Sequence, residues 1–132
     1  MKKILFLLFI GIGISASSCK KETVVGPGAL TIFTPVQSNQ WVLSTTGTFR
    51  GYTADVPVKD IDNYYDQNGA VLVYIAYGNN SAEYELLPNV NGGNSLWYSY
   101  APGHIYINSQ NADGSAPTQP PGPLGLKIVL VP

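Results

Sequence analysis

Residues able to do chemistry are scarce in this 132-residue chain. There is one cysteine, Cys19, and one histidine, His104. Three carboxylates gather in "DIDNYYD" (60–66), namely Asp60, Asp62 and Asp66, and two more, Glu83 and Glu85, alternate along "AEYELL" (82–87). Two tryptophans, Trp41 and Trp97, complete the set. Each pattern names a chemistry to test. A thiol is a nucleophile, a metal ligand or a point of acylation. A histidine beside an acid and a hydroxyl is a nucleophilic triad. Closely spaced acids bind calcium or cleave glycosides. A tryptophan on a polar strand face stacks on a sugar ring.

Most of these chemistries lack their other members. A structural zinc site takes several Cys and His, and one of each is present. A lone cysteine forms no intrachain disulfide. His104 follows Pro102-Gly103 at a strand start with no acid implied beside it, so it reads as a turn histidine. An EF-hand loop wants oxygen at its fifth position and Gly at its sixth; here they are Tyr64 and Tyr65. Asp60 and Asp62 fit the start of a short helix instead. Glu83 and Glu85 alternate as any polar strand face does, and a glycosidase needs a cleft at fixed carboxyl separation. No catalytic residue and no metal ligand is assigned, and the chain is expected not to be an enzyme. Trp97 is the candidate ligand contact. Within "SLWYSY" (95–100), Leu96, Tyr98 and Tyr100 face one way and Trp97 faces the other with Ser95 and Ser99. Trp97 either packs under neighbouring chain, as large aromatics mostly do, or stacks on a ligand.

Composition narrows the partners. Net charge is −1 with scattered Lys and Arg, which points away from nucleic acid. Charged residues make up only 11%, so the chain is no disordered polyelectrolyte. Abundant Tyr with β-branched residues and regular Gly, Pro and Asn turns predicts an all-β domain.

The cysteine is placed by what precedes it. "MKK" is a positive start, Ile4 to Ile14 is apolar, and Ser15 to Ser18 are small. That run falls well short of the roughly 20 apolar residues of a membrane-spanning helix. The layout is that of a signal peptide over 1–18. "Ala16-Ser17-Ser18-Cys19" resembles the lipobox of bacterial lipoproteins. The resemblance implies cleavage between Ser18 and Cys19 and a diacylglyceryl group, with a further acyl chain, on Cys19. No other cofactor is expected. Two acyl chains at about 0.8 kcal/mol per buried CH₂ hold a protein stably to a membrane. The other reading is an ordinary secretory signal cut after Ser18, which leaves a free thiol. "CKKE" lacks the aspartate that in enteric lipoproteins marks inner-membrane retention, so the cell envelope is expected, at the outer membrane, with either face open.

The rest divides into a lipid anchor and tether over 19–39 and a β-sandwich domain over 40–132. The tether includes "KKETVVGPGA" and an edge strand over 29–33. Strands are expected at 41–49, 52–56, 70–77, 82–87, 95–100, 104–108 and 125–131. Strand 70–77 is apolar on both faces and is expected to be central and covered on both sides. One short helix is predicted over 59–67, with Ile61, Tyr64 and Tyr65 at helical spacing and Gly69 as its C-cap. "NADGSAPTQPPGP" (111–123) reads as a stiff crossover between sheets. "APGH" (101–104) suits a type II turn, which twists against a tight hairpin, so a wider loop or a corner is expected there. The sum is an antiparallel β-sandwich of about seven strands with one short helix.

"NGAVLVYIAY", "LLP", "YSY", "HIYI" and the terminal "VLVP" together resemble the C-terminal β domain of small Bacteroidota lipoproteins that carry collagen-like repeats. This chain lacks the repeat: "GPGA" holds a single Gly-Pro step, and a triple helix needs Gly at every third position. The resemblance carries only the lipid site at Cys19, because that family has no established activity. The expected function is a non-catalytic, lipid-anchored cell-envelope protein of unknown ligand. The alternative is a surface module that binds a glycan or a protein through exposed aromatics such as Trp97.

Overall fold

The computed structural model of the protein describes residues 28–45, 47–78 and 82–132. The expected signal peptide, the Ser18–Cys19 cleavage site and lipid position, and the tether up to residue 27 lie outside the described residues. The strands are Leu30–Val36 (β1), Trp41–Ser44 (β2), Gly51–Val58 (β3), Ala70–Tyr77 (β4), Glu85–Leu86 (β5), Asn89–Asn91 (β6), Asn94–Ala101 (β7), Gly103–Asn111 (β8) and Leu124–Val131 (β9). One helix, Asn63–Gln67 (α1), lies between β3 and β4. The strands form two antiparallel sheets, ordered β1-β9-β4-β5 and β2-β3-β8-β7-β6. The protein is an all-β sandwich with one short helix.

Alternation builds the core. Leu124, Leu126, Ile128 and Leu130 on β9 point inward with Val71, Val73 and Ile75 on β4. Ala54 and Val56 on β3, Leu96 on β7, and Ile105 and Ile107 on β8 meet them from the other sheet. Each buried Val, Leu or Ile side chain contributes roughly 1.5–3 kcal/mol by leaving water, and Ala54 less. β4 is central, between β9 and β5, but its outward residues Leu72 and Tyr74 are half-buried rather than covered. Their cross-strand neighbours Val129 and Lys127 give that partial cover.

The structure redraws several elements. The strand expected over 41–49 stops at Ser44, and the chain turns at Gly47, where φ is +74°. β1 runs from Leu30 to Val36 as an outer strand against β9. The strand expected over 82–87 shrinks to Glu85–Leu86, since Pro88 has no N–H to continue the ladder and the chain crosses to β6 in the other sheet. The helix begins at Asn63, not 59, because Asp62 is its N-cap: Oδ1 accepts the N–H of Tyr64 at 2.9 Å and of Tyr65 at 3.2 Å. Buried Tyr65 and half-buried Tyr64 pack edge to face and seat the helix on the core. Gly69 is not a left-handed cap. It is a close-approach glycine, since a Cβ there would lie 2.6 Å from the Val131 carbonyl and 2.9 Å from the Tyr65 ring.

"APGH" is a tight hairpin after all. Ala101 pairs with His104 at the end of an unbroken β7–β8 ladder, with Gly103 at φ +84°. The long ladder overrides the local twist of the turn, and the Gly103 N–H is held by the Ile61 carbonyl at 2.8 Å. The proline segment does cross between sheets, from β8 to β9.

Candidate functional site

The registers place Trp97 on the outer face of the five-stranded sheet. Directly opposite pairs put Val42, Thr53, Asn108 and Trp97 in one row across β2, β3, β8 and β7. The next rows hold Asp55, Tyr106 and Ser99, then Pro57, His104 and Ala101. Trp97 is half-buried and does share its face with Ser95 and Ser99. Its ring partner is Phe49, edge to face at 5.6 Å and 89°.

Glycine makes that pair possible. Phe49 reaches the sheet by lying over Gly51, the first residue of β3. A Cβ on Gly51 would sit 2.9 Å from Phe49 Cζ and would also strike the Ser109 carbonyl. The aromatic ring thus covers backbone that a side chain would otherwise occupy, a known way of protecting a glycine in a sheet.

Lower on the face, His104 Nδ1 lies 2.8 Å from Asp55 Oδ1. The acid that the sequence reading did not find comes from the neighbouring strand. His104 also stacks on Tyr106, with ring centroids 6.0 Å apart and planes 5° apart. Both members of the pair are about half exposed, at 44% and 53%, so the contact is a surface one, in the class that contributes about 0–1 kcal/mol. Among the described residues no hydroxyl is hydrogen-bonded to His104, and a triad needs one.

Thr53 donates to Asn108 Oδ1 at 2.8 Å. The Asn108 amide donates one N–H to the Tyr106 carbonyl at 3.5 Å, which leaves the other for a ligand. The strand residues on this face include no Lys or Arg, and His104–Asp55 is its only pairing of titratable groups. The arrangement offers aromatic surface and neutral hydrogen-bonding groups on one sheet face.

Two of the remaining carboxylates have structural uses. Asp62 caps α1. Glu85 accepts from the Asn89 amide and ties β5 to β6 where the chain changes sheet. The face partners of Trp97 were legible only in part. Alternation in "HIYIN" puts His104, Tyr106 and Asn108 on one face, but nothing local ties them to Asp55, Thr53 or Phe49. No family model, no curated protein and no solved structure matches the chain.

Proposed function

We propose that the chain is a non-catalytic protein of the cell envelope, anchored at the outer membrane by acyl lipid on Cys19. It works as a binding module that takes a neutral glycan on the outer face of its five-stranded sheet. The observation that carries this reading is Trp97 braced by Phe49 beside the Thr53–Asn108 pair. Aromatic rings take the C–H faces of sugars, and uncharged amide and hydroxyl groups meet their hydroxyls. The absence of Lys and Arg from these strand faces disfavours phosphate and nucleic acid. Asp62 and Glu85 serve as structural acceptors, which fits the non-catalytic part of the reading.

A glycan array of the chain and its Trp97→Ala variant tests the reading. Binding to neutral glycans that the variant loses supports it, and binding that the variant keeps removes Trp97 from the site. Labelling cells with a fatty-acid analogue tests the anchor: label must appear on the mature protein and vanish in Cys19→Ala. A hydrolase rate abolished by His104→Ala would end the non-catalytic assignment.

A further inference from the structure

A concavity lies at one end of the sandwich, away from the Trp97 face. It is a cavity of about 280 Å³ between the sheets, with Tyr77 and Leu124 on one side, Asn91 and Asn94 on the other, and Pro121 and Pro123 across its rim. We propose that this recess binds a single ring of a neutral sugar. The inference rests on the glycan reading above and adds a site to it.

Size sets the first limit. Pockets for drug-sized ligands run from about 300 to 1,000 Å³, so this one has room for a ring and little more. Chemistry sets the second. Among the described residues no charged side chain lines the recess. It offers a phenol ring, two proline rings and two carboxamides, which is apolar surface with donors and acceptors interspersed.

Asn94 is preset for the task. Ser109 is fully buried, at 0% exposure. Its hydroxyl donates to Asn94 Oδ1 at 3.1 Å. That bond takes the carbonyl end of the amide and leaves Nδ2 turned away from Ser109. Buried polar groups cost free energy unless they are paired, so a serine held in the core to fix one surface amide is informative. The rim is also held, by the Gly78 N–H to the Pro123 carbonyl at 3.3 Å and by the Ala112 N–H to the Gly93 carbonyl at 2.8 Å.

Position agrees. Gly28, the first described residue, accepts from the Tyr65 hydroxyl at 3.3 Å, beside α1. β1 then runs from Leu30, opposite Leu130, to Val36, opposite Leu124. Leu124 lines the recess, so the recess lies one strand length, about 20 Å, from where the tether joins. Eight residues separate Cys19 from Gly28, and the nine steps between them reach at most about 32 Å. The recess therefore lies at the end of β1 remote from where the tether joins.

The test is a ¹⁵N chemical-shift titration of the mature chain in detergent micelles. The probes are the methyl glycosides of glucose, galactose and mannose, with glucuronate as a charged control. The expected result is saturable shifts of the Asn91 and Asn94 side-chain amides with at least one neutral glycoside and none with glucuronate. Asn94→Ala should weaken binding about tenfold, the size of one lost hydrogen bond. Ser109→Ala keeps the Asn94 amide but frees it, and should weaken binding by a smaller factor. No saturable shift at the recess, or binding unchanged in both variants, overturns the proposal. A Trp97 indole that shifts while the recess stays silent also overturns it and leaves the sheet-face reading standing. Shifts at the recess with Trp97 silent support it and count against the sheet face.

Discussion

Tyr98→Phe isolates one hydrogen bond between the sheets. Tyr98 points inward from β7, and its hydroxyl donates to the Val71 carbonyl on β4 at 2.6 Å. The reason lies in the short β5. The Val73 carbonyl takes the Leu87 N–H at 2.9 Å, but β5 pairs only with Tyr74 and Ile75. Two residues back, the Val71 carbonyl falls beyond the reach of that strand, and the phenol serves it instead. Phenylalanine keeps the ring and removes the donor. A net hydrogen bond contributes about 0.5–1.5 kcal/mol, and an acceptor left dry costs about 1–3 kcal/mol. A loss of about 1.5 kcal/mol is expected, which in a domain of this size lowers Tm by about 6–12 °C. A second signature follows from ionisation. Burial pushes the Tyr98 phenol above its ordinary value of 10.0, and the nearby Tyr100 and Tyr74 phenols add to the rise. The unfolded chain therefore ionises this group at lower pH than the folded one. Its contribution is fully present below about pH 10 and is lost as pH rises through the folded value. The gap between wild type and variant should be full at pH 7 and shrink above pH 10. Thermal melts followed by circular dichroism at pH 7, 9, 10.5 and 11 read both effects. Equal melting temperatures at pH 7, or a gap that stays constant across the series, would refute the account.

Gly51→Ala forces a methyl into the Ser109 carbonyl and the Phe49 ring; a cost of at least about 1–3 kcal/mol is expected, with altered tryptophan emission as Phe49 leaves Trp97. A variant that unfolds in urea like wild type would show that the close approach is not real. Asp62→Ala removes the acceptor for the Tyr64 and Tyr65 N–H groups and should cost about 1 kcal/mol, lowering the urea midpoint without changing the slope. An unchanged midpoint counts against the cap. Ser115 holds the Asp113 carboxyl below its ordinary value of 3.8, first through its hydroxyl at 2.6 Å and then through its N–H at 2.9 Å. Ser115→Ala should move the Asp113 carboxyl titration, followed by NMR, up toward that value, and an unmoved titration would refute the assignment.

What the sequence showed depended on range. Strand β9 and the inner face of β7 were legible because period-two alternation is local to each strand. The helix was legible from Ile61, Tyr64 and Tyr65, but its start was set by Asp62, and a capping acid looks like any other acid in "DIDNYYD" until the helix is seen. The Pro102-Gly103 turn was misjudged because a local preference was weighed without the ladder that overrides it. The site was the least legible part. Asp55 and His104 are 49 residues apart, and only the β3–β8 register makes them neighbours. Phe49 reaches Trp97 from a different strand connection, across a glycine whose purpose is steric. The recess at the loop end joins residues from β4, β6, β7 and the proline crossover, and no spacing rule links those segments.

The two outer faces of the sandwich differ in a way that bears on which one meets a ligand. The four-stranded sheet also exposes large apolar groups, with Phe33 at 64% and Leu86 at 49%. Its aromatics, however, satisfy one another. Lys127 Nζ sits 4.3 Å from the centre of the Tyr74 ring and 5.0 Å from that of Tyr84, and Phe33 leans on Tyr84 at 6.1 Å. The cation already occupies the ring faces a sugar would use, and displacing it would sacrifice about 0.5–1 kcal/mol per contact. On the five-stranded sheet no cation lies over Trp97 or Tyr106 among the described residues, and the Asn108 amide has a second N–H beside the one it donates to the Tyr106 carbonyl. Lys127→Ala therefore separates the faces. It should leave glycan binding unchanged if the ligand lies on Trp97, and should raise it if the ligand lies on the rings that Lys127 now covers.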